Sequence, residues 1–269
     1  MKLSHELKTA VLAARLAGKI QLKQLGKPLQ KTMKGEKDFV TQVDLACEKA
    51  ILGVLQKEFP DYGILSEEKG TVSASGDYRW VVDPLDGTLR YSRGMEGFGV
   101  LIALQKKGDT ILAVLHQPNQ SSLLVAEKGK GAFHNNHMVH VSAQSNLSKA
   151  ILSNDTVQYF LDQYPAGFKK IYDQAAYRIA TPWLTAITKV CRGELDIFLG
   201  GYQKYSPAQS WLMSAWDVAA PKFLIEEAGG IFSNAKGETT LEKMDCVVAS
   251  NGHLHPALIK ILQATGAKA

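Results

Sequence analysis

The N-terminal part of the chain contains two segments whose apolar residues recur at helical spacing. Over residues 4–25 the apolar positions lie three or four residues apart, which predicts an amphipathic helix. Residues 41–58 repeat this spacing, with Thr41 at the N-cap position and Pro60 as a stop signal. We therefore expect two helices, joined by a connection whose residues 31–40 form a polar loop.

The pattern then changes to short apolar runs that are typical of strands. A run over residues 62–66 is followed by one over residues 79–83 that is apolar enough for a buried strand. Residues 97–133 contain three β-rich runs separated by the turn-forming sequences KKGD and QPNQ, which predicts an antiparallel meander. Residues 139–143 are expected to form one more strand.

The rest of the chain alternates between strand and helix patterns. Strands are predicted at 151–152, 195–200 and 246–250, and helices at 156–163, 181–193, 216–228 and 255–265. The change of pattern near residue 146 divides the chain into an N-terminal α+β half, residues 1–146, and a C-terminal α/β half, residues 147–269. We expect two packed halves in which helices cover sheets.

Composition and charge narrow the class of protein. With 269 residues, 45% hydrophobic and 21% charged, the chain has an ordinary globular composition. It has no apolar run long enough to span a membrane and no clear signal peptide, so we expect a cytoplasmic protein. The net charge of +5 suits an anionic substrate. We do not expect nucleic acid as a partner, because no block of five like charges occurs. The scattered cysteines argue against a disulfide framework.

The strongest chemical signal is the sequence WVVDPLDGT, residues 80–88. It places Asp83 at the end of a buried strand and Asp86 three residues later, and oxygen-rich sites of this kind suit hard cations such as Mg2+. The N–H groups of Gly87 and Thr88 would then lie at the start of a helix, where a phosphate can bind. The alternative is a simple turn in which Asp and Gly serve only the backbone geometry.

Three further acidic positions are candidates for the same site. Glu67 follows the strand-like run ILS, Asp217 begins the helix of residues 216–228, and Asp44 lies near the start of the helix of residues 41–58. Each also has an ordinary interpretation. Glu67 would belong to a solvated acidic loop, and the two aspartates would cap their helices.

These motifs together resemble a known family. VTQVD, ILSEE, WVVDPLDGT and WDVAAPKFLIEEAGG occur in this order, as in the inositol monophosphatase family of lithium-sensitive, Mg2+-dependent phosphatases. The resemblance covers roughly residues 34–262. It implies a five-layer αβαβα sandwich, and homodimers are common among its members.

The resemblance also implies a set of metal ligands. Glu67, Asp83 and the carbonyl group of Leu85 should bind a first Mg2+ ion, and Asp83, Asp86 and Asp217 should bind a second. Asp83 would bridge the two ions, and a third, weaker ion would contact Glu67. Two ions of this kind can stabilise both the attacking and the leaving oxygen of a phosphoryl transfer.

The residues beside the metal ligands are expected to direct the reaction. By the same resemblance, Glu67 and Thr88, with Asp44 behind them, would orient the water that attacks phosphorus. The backbone N–H groups of Gly87 and Thr88 would hold the phosphate group. The implied activity is the hydrolysis of a small phosphorylated metabolite, with two or three Mg2+ ions as cofactors.

The substrate side departs from the inositol-type pattern. Where those members have a small Gly-Thr-Ala run, this chain has the bulkier Thr181, Pro182 and Trp183, and residues 200–215 are longer than usual. Ser210 stands where the family tends to carry a glutamate that contacts a ring hydroxyl. Trp183 and Arg90 are therefore expected to border a different substrate.

Other cationic residues are candidates for contact with a second anionic group, namely Arg90, Arg93, Arg178 and Lys204, although Arg90 and Arg93 also suit a solvated helix face. Histidinol phosphate, fructose 1,6-bisphosphate and a 3′,5′-bisphosphate nucleotide are alternative substrates on the same scaffold. A regulatory or interaction protein that keeps the fold is the alternative of a different class, since one bacterial family member binds transcription machinery.

Overall fold

The computed structural model describes residues 3–34, 39–73, 76–201 and 212–264. The helices in these ranges are α1 His5–Gln24, α2 Gln42–Glu58, α3 Thr88–Ser92, α4 Gln158–Gln163, α5 Pro165–Gln174, α6 Trp183–Cys191, α7 Ala215–Glu227 and α8 His255–Ala264. No helix among them is both long and apolar enough to cross a membrane.

The same described ranges contain fifteen strands. They are β1 Lys31–Met33, β2 Phe39–Thr41, β3 Gly63–Ser66, β4 Gly70–Ser73, β5 Tyr78–Asp86, β6 Gly99–Lys106, β7 Asp109–Gln117, β8 Ser122–Glu127, β9 Ala132–His134, β10 His137–Val139, β11 Ile151–Asp155, β12 Tyr177–Ala180, β13 Ile197–Gly201, β14 Gly230–Ser233 and β15 Cys246–Asn251.

The two N-terminal helices form where their apolar spacing predicts them. The hydroxyl group of Ser4 caps α1 by accepting a hydrogen bond from the N–H of Leu7 at 3.1 Å. Thr41 caps α2, and its own N–H donates to the carboxylate of Asp44. Reciprocal bonds of this kind satisfy N–H groups that would otherwise lack partners at a helix start.

The first large sheet has eight strands in the order β10-β9-β8-β7-β6-β5-β3-β4. Strands β5 to β8 pair antiparallel with their sequence neighbours, which confirms the predicted meander. β3 pairs parallel to β5, so the chain segments that follow Ser66 and Val82 leave the sheet at the same edge. This arrangement brings Glu67 towards Asp83.

The second sheet has five strands in the order β12-β11-β13-β15-β14 and lies within the C-terminal half. β11 pairs parallel with both β12 and β13, so Asp155 emerges at the carboxyl edge of the parallel strands. Functional groups commonly gather at this edge in α/β sheets.

Helices and sheets alternate in five layers, as expected for the αβαβα sandwich. Three hydrophobic cores fill the spaces between them. One lies between the first sheet and α1 with α2, one lies between the two sheets around α6 and α7, and one packs α4, α5 and α8 on the second sheet.

Two predictions about local structure were wrong. Residues 31–40 were expected to form a loop, but β1 and β2 pair there as a short antiparallel hairpin. Residues 139–143 were expected to form a strand, but β10 ends at Val139. The N–H of Val141 instead donates to the carbonyl of Ala228 at the end of α7, so this segment joins the halves rather than extending the sheet.

The buried His255 provides a test of this packing. Its ring nitrogens lie 2.9 Å from the hydroxyl groups of Ser233 and Ser250, and burial lowers the pKa of His255 to about 4. The unfolded histidine titrates near pH 6.5, so between these pH values the unfolded state binds a proton that the folded state does not, and stability falls as the pH falls. From pH 7 to pH 5, wild type should lose about 2 kcal/mol more free energy of unfolding than His255→Gln.

Urea unfolding at the two pH values measures this difference. His253→Gln, at an exposed position two residues away, is the matched control and should behave like wild type. Parallel losses in wild type and His255→Gln would contradict the assignment of a neutral buried imidazole.

Candidate metal centre

Three carboxyl groups meet where the two halves of the chain come together. One side-chain oxygen from each of Asp83, Asp86 and Asp217 lies within 4.8 Å of the others. The first two residues end β5 in the first sheet, and the third lies in the first turn of α7. The structure therefore brings together three of the predicted ligands from segments that are distant in the sequence.

A β-bulge explains how two residues three apart reach the same site. Side chains alternate between the faces of a regular strand, so residues 83 and 86 would normally point in opposite directions. Asp83 lies opposite Leu101 in β6, but Asp86 lies opposite Gly99, so three steps along β5 match two along β6. The extra residue in β5 therefore brings both carboxylates to the same face of the sheet.

Asp83 is the most deeply buried of the three, with a relative exposure of 2%. The N–H of Leu85 donates to its Oδ1 at 3.0 Å, which fixes one side of the carboxylate. Burial, and then the negative charges of Glu67, Asp86 and Asp217, raise the pKa of Asp83 well above its ordinary value. The ionised form of this carboxyl group is therefore destabilised in the folded chain.

Asp86 is in a similar position. Burial and the charges of Asp217, Glu67 and Asp155 raise its pKa well above the ordinary value, although Arg90 opposes the shift. Concentrated carboxylates of this kind repel one another unless a proton or a cation neutralises them. The donor set contains only oxygen and fits Mg2+ better than a softer metal.

The two capping aspartates serve the helix and the site together. One carboxylate oxygen of Asp217, Oδ2, accepts the N–H of Ser214 at 3.0 Å, while the residue also belongs to the acidic group. Asp44 accepts the N–H of Thr41 on Oδ2 at 2.9 Å and the hydroxyl group of Thr88 on Oδ1 at 2.9 Å. The capping and site interpretations of these residues are therefore compatible.

Thr88 lies between Asp44 and the acidic group. Its hydroxyl oxygen is 2.9 Å from Asp44 Oδ1 and 3.1 Å from the carbonyl oxygen of Leu85, so the hydroxyl proton has two possible acceptors. Gly87, just before it, has a φ of 80° and begins α3 in the left-handed conformation. With only five residues, α3 adds little dipole of its own, so phosphate binding by Gly87 and Thr88 stays a prediction.

Glu67 lies at the edge of this cluster and is paired with a lysine. Lys34 directly follows β1, and its ammonium group lies 3.1 Å from Glu67 and 2.7 Å from Glu68. Burial raises the pKa of Glu67, while Lys34 opposes that shift. Burial also raises the pKa of Glu68 to about 7, with a smaller contribution from Glu67. The sequence interpretation missed Lys34.

A second ion pair lies beside the acidic group. Nη2 of Arg90 is 3.1 Å from both carboxylate oxygens of Asp155, and the N–H of Trp183 donates to the same carboxylate at 3.0 Å. Asp155 was also missed, because a polar residue after a short apolar run is a weak signal. It connects both predicted substrate-side residues to the end of β11.

The other residues predicted on the substrate side either pack against neighbouring side chains, are exposed, or lie outside the described residues. The ring of Trp183 packs on Phe198 and Phe232 in the central core, so much of it is used in packing. Arg178 stacks on Tyr172 in the second sheet's outer layer, and Arg93 is exposed. Lys204 and Ser210 lie outside the described residues, as does most of the segment 200–215.

The chain belongs to the inositol monophosphatase family, whose model matches residues 2–267. Among curated relatives, it is 32% identical to "Nus factor SuhB" of Pseudomonas aeruginosa over 96% of this chain and 95% of that protein. It is 31% identical to "Inositol-1-monophosphatase" of Rhizobium meliloti over 98% of both chains.

A solved structure shares the fold. The extragenic suppressor protein suhB from Bartonella henselae superposes with a TM-score of 0.86 at 28% identity, covering 97% of this chain and 99% of that one. The family resemblance expected from the motifs is therefore confirmed. The names of the relatives support a phosphatase and also include a factor that is not named for an enzymatic activity.

Proposed function

We propose that this protein hydrolyses the phosphate monoester of a small metabolite in a Mg2+-dependent reaction. The convergence of Asp83, Asp86 and Asp217 from both halves carries the proposal. An arrangement that raises the pKa of the Asp83 and Asp86 carboxyl groups destabilises the protein unless a cation or another ligand compensates. Family membership supports the reaction class.

The residues proposed as ligands are the three aspartates together with Glu67 and the carbonyl group of Leu85. Mg2+ bound there would supply positive charge to the phosphoryl group and lower the pKa of a water molecule. Glu67 would leave its pairing with Lys34, which keeps Glu68 as a partner at 2.7 Å. Two or three ions, and sensitivity to lithium, belong to the same proposal.

Thr88, Asp44 and Gly87 would position the attacking water and the phosphate. When the Thr88 hydroxyl donates to Asp44, its oxygen lone pairs are left to accept a hydrogen bond from that water. Burial raises the pKa of Asp44, which suits a carboxylate that receives a proton through Thr88. The N–H groups of Gly87 and Thr88 would hold the phosphate.

The leaving group is proposed to differ from inositol. Trp183 is bulkier than the small residues that inositol-type members carry in this run, and Arg90 offers a partly exposed guanidinium group whose Nη2 is oriented by Asp155. Substrates with a second anionic group are therefore the first to test, namely fructose 1,6-bisphosphate and a 3′,5′-bisphosphate nucleotide. Histidinol phosphate, which carries a cationic amine instead, is the comparison. A site is selective when its buried polar groups need particular partners.

A regulatory or interaction role is the second candidate, and the name of the Pseudomonas aeruginosa relative favours it. Both roles can coexist, because the surface that binds a partner need not include the acidic cluster. We further propose a cytoplasmic homodimer. The edge strand β12 exposes Tyr177 and Ile179, which gives a second copy an apolar surface to contact.

Phosphate release from a panel of phosphomonoesters, with and without Mg2+, tests the proposal. Wild type should turn over at least one substrate only when Mg2+ is present, and Asp86→Asn should reduce its rate by about a hundredfold or more, since it removes a ligand charge. Asp162→Asn, on the exposed face of α4, is the matched control and should retain full activity.

Two outcomes would contradict the proposed enzymatic activity. Equal rates for wild type and Asp86→Asn would exclude the two-metal site, whereas no turnover of any substrate by wild type would favour the interaction role.

A further inference from the structure

Gln21 is a polar residue on the buried stripe of α1. Its neighbours at helical spacing are Ala10, Ala14 and Ala17, and all four side chains are fully buried. Among the described residues, its Oε1 has no hydrogen-bond partner. A buried amide oxygen without a hydrogen bond lowers the stability of the folded protein. We therefore expect the amide nitrogen of Gln21 to make a contact that an apolar residue could not replace.

That contact is with the bulge in β5. Nε2 of Gln21 donates to the carbonyl oxygen of Pro84 at 3.0 Å and lies 3.5 Å from that of Gly99. Pro84 lies between Asp83 and Asp86, in the stretch where β5 and β6 lose their regular register. A bulge leaves backbone groups without ladder partners, and proline itself has no N–H to offer. The side chain of Gln21 donates to one carbonyl group of this irregular stretch.

The same residue also holds the other side of this segment. The hydroxyl group of Tyr91 in α3 donates to the backbone carbonyl of Gln21 at 2.8 Å. Pro84 precedes Asp86, Gly87 and Thr88 in the sequence, and Tyr91 follows them. One residue of α1 is thus bonded to both ends of the segment that carries the proposed ligands and phosphate-binding groups.

We propose that Gln21 is a positioning residue of the metal centre, which holds the β5 bulge in the shape that directs Asp83 and Asp86 to one side. It contacts neither substrate nor metal, and it acts through the carbonyl group of Pro84. The inference rests on the proposed function for its catalytic consequence, but the bulge itself is a property of the free protein.

Gln21→Met, which keeps the length of the side chain and removes the donor, tests the proposal. Hydrogen–deuterium exchange followed by mass spectrometry should show the amides of residues 85–91 exchanging about tenfold faster than in wild type, because an unpaired carbonyl weakens the local structure. The affinity for Mn2+, measured by the EPR signal of the free ion, should fall by about tenfold or more. With Mg2+, kcat should fall more than KM changes.

Gln105→Met is the matched control. Gln105 is a buried glutamine at the opposite end of the β5–β6 pair, where its side chain accepts hydrogen bonds from Arg79. This variant should lose thermal stability while the exchange of residues 85–91 and the Mn2+ affinity stay within twofold of wild type. Gln21→Leu, which also lacks a donor, replaces Gln21→Met in all comparisons if the latter does not fold.

Exchange in residues 85–91 that is the same in the Gln21 variants as in wild type, or faster only to the extent seen in Gln105→Met, would overturn the proposal. If wild type neither binds Mn2+ nor releases phosphate, the proposed function fails, and the exchange comparison alone still decides the role of Gln21.

Discussion

Replacing Asp83 with asparagine should slow phosphate release by about a hundredfold or more and stabilise the metal-free protein. Asp83 is buried among Glu67, Asp86 and Asp217, and burial with their charges raises its pKa. A neutral amide removes this repulsion, and its oxygen can still accept the N–H of Leu85. In EDTA the melting temperature should rise by about 3 °C or more, the shift that roughly 1 kcal/mol gives in a chain of this size.

The same variant should respond weakly to Mg2+. A ligand that binds only the folded state stabilises it, so wild type should gain stability when Mg2+ is added, and the variant should gain much less. Activity should fall by about a hundredfold or more because the proposed bridging ligand is lost. Thermal unfolding in EDTA and in Mg2+, together with a phosphate-release assay, measures both effects.

Asp196→Asn provides the control for burial alone. The carboxylate of Asp196 is also buried, but it accepts the N–H of Ile151 at 2.7 Å and the hydroxyl group of Ser142. Because each of its two oxygens accepts a hydrogen bond and an amide has only one acceptor oxygen, the control leaves one donor without a partner and should lower the melting temperature in EDTA. A melting temperature that falls equally in both variants would contradict the electrostatic account of the cluster.

Gly87→Ala should reduce activity because it distorts the backbone of the turn before α3. Gly87 has a φ of 80°, and a Cβ atom there would come within 2.9 Å of the carbonyl oxygen of Gly97 and 3.3 Å of the Cα atom of Phe98. The left-handed conformation alone costs a non-glycine residue about 1–2 kcal/mol. The clash with a second backbone segment adds to this cost and forces the turn to move.

Gly94→Ala separates the two contributions. Gly94 also has a positive φ, of 67°, but a Cβ atom there meets nothing within 4 Å. This control should lose about 1–2 kcal/mol of stability and keep its activity. Gly87→Ala should lose more stability and about a hundredfold in kcat/KM, since a displacement of about 1 Å near reacting groups has an effect of that size. Equal stability losses with full activity in both variants would refute the proposed role of the turn.

The long elements were predictable because their patterns are strong. The periodicity over residues 4–25 and 41–58 predicts α1 and α2 to within one or two residues at each end, and the turn sequences KKGD and QPNQ separate β6, β7 and β8. Short edge strands such as β4 and β12 were missed. β12 is exposed along its whole length and therefore has no apolar pattern to detect.

The three clustered aspartates could be named from the sequence, but their geometry could not. Asp83 and Asp86 were chosen together for their chemistry, yet strand alternation alone places them on opposite faces. The bulge that reconciles them depends on the register between β5 and β6, which no local pattern reports. Gln21 carried a detectable signal, a polar residue on an apolar helical stripe, whereas Asp155 and Lys34 carried almost none.

The double use of Asp44 and Asp217 affects how relatives of this protein should be compared. Each residue secures the first turn of a helix with one carboxylate oxygen. Asp44 also accepts the hydroxyl group of Thr88 on its other oxygen, and Asp217 belongs to the acidic group. A helix cap contributes about 1 kcal/mol, so a lineage that abandoned catalysis would still have a reason to keep both residues. Glu67 and Asp86 make no such cap among the described residues. Loss of Glu67 or Asp86, rather than of the capping aspartates, would therefore be the earlier sign that a relative has lost the proposed phosphatase activity.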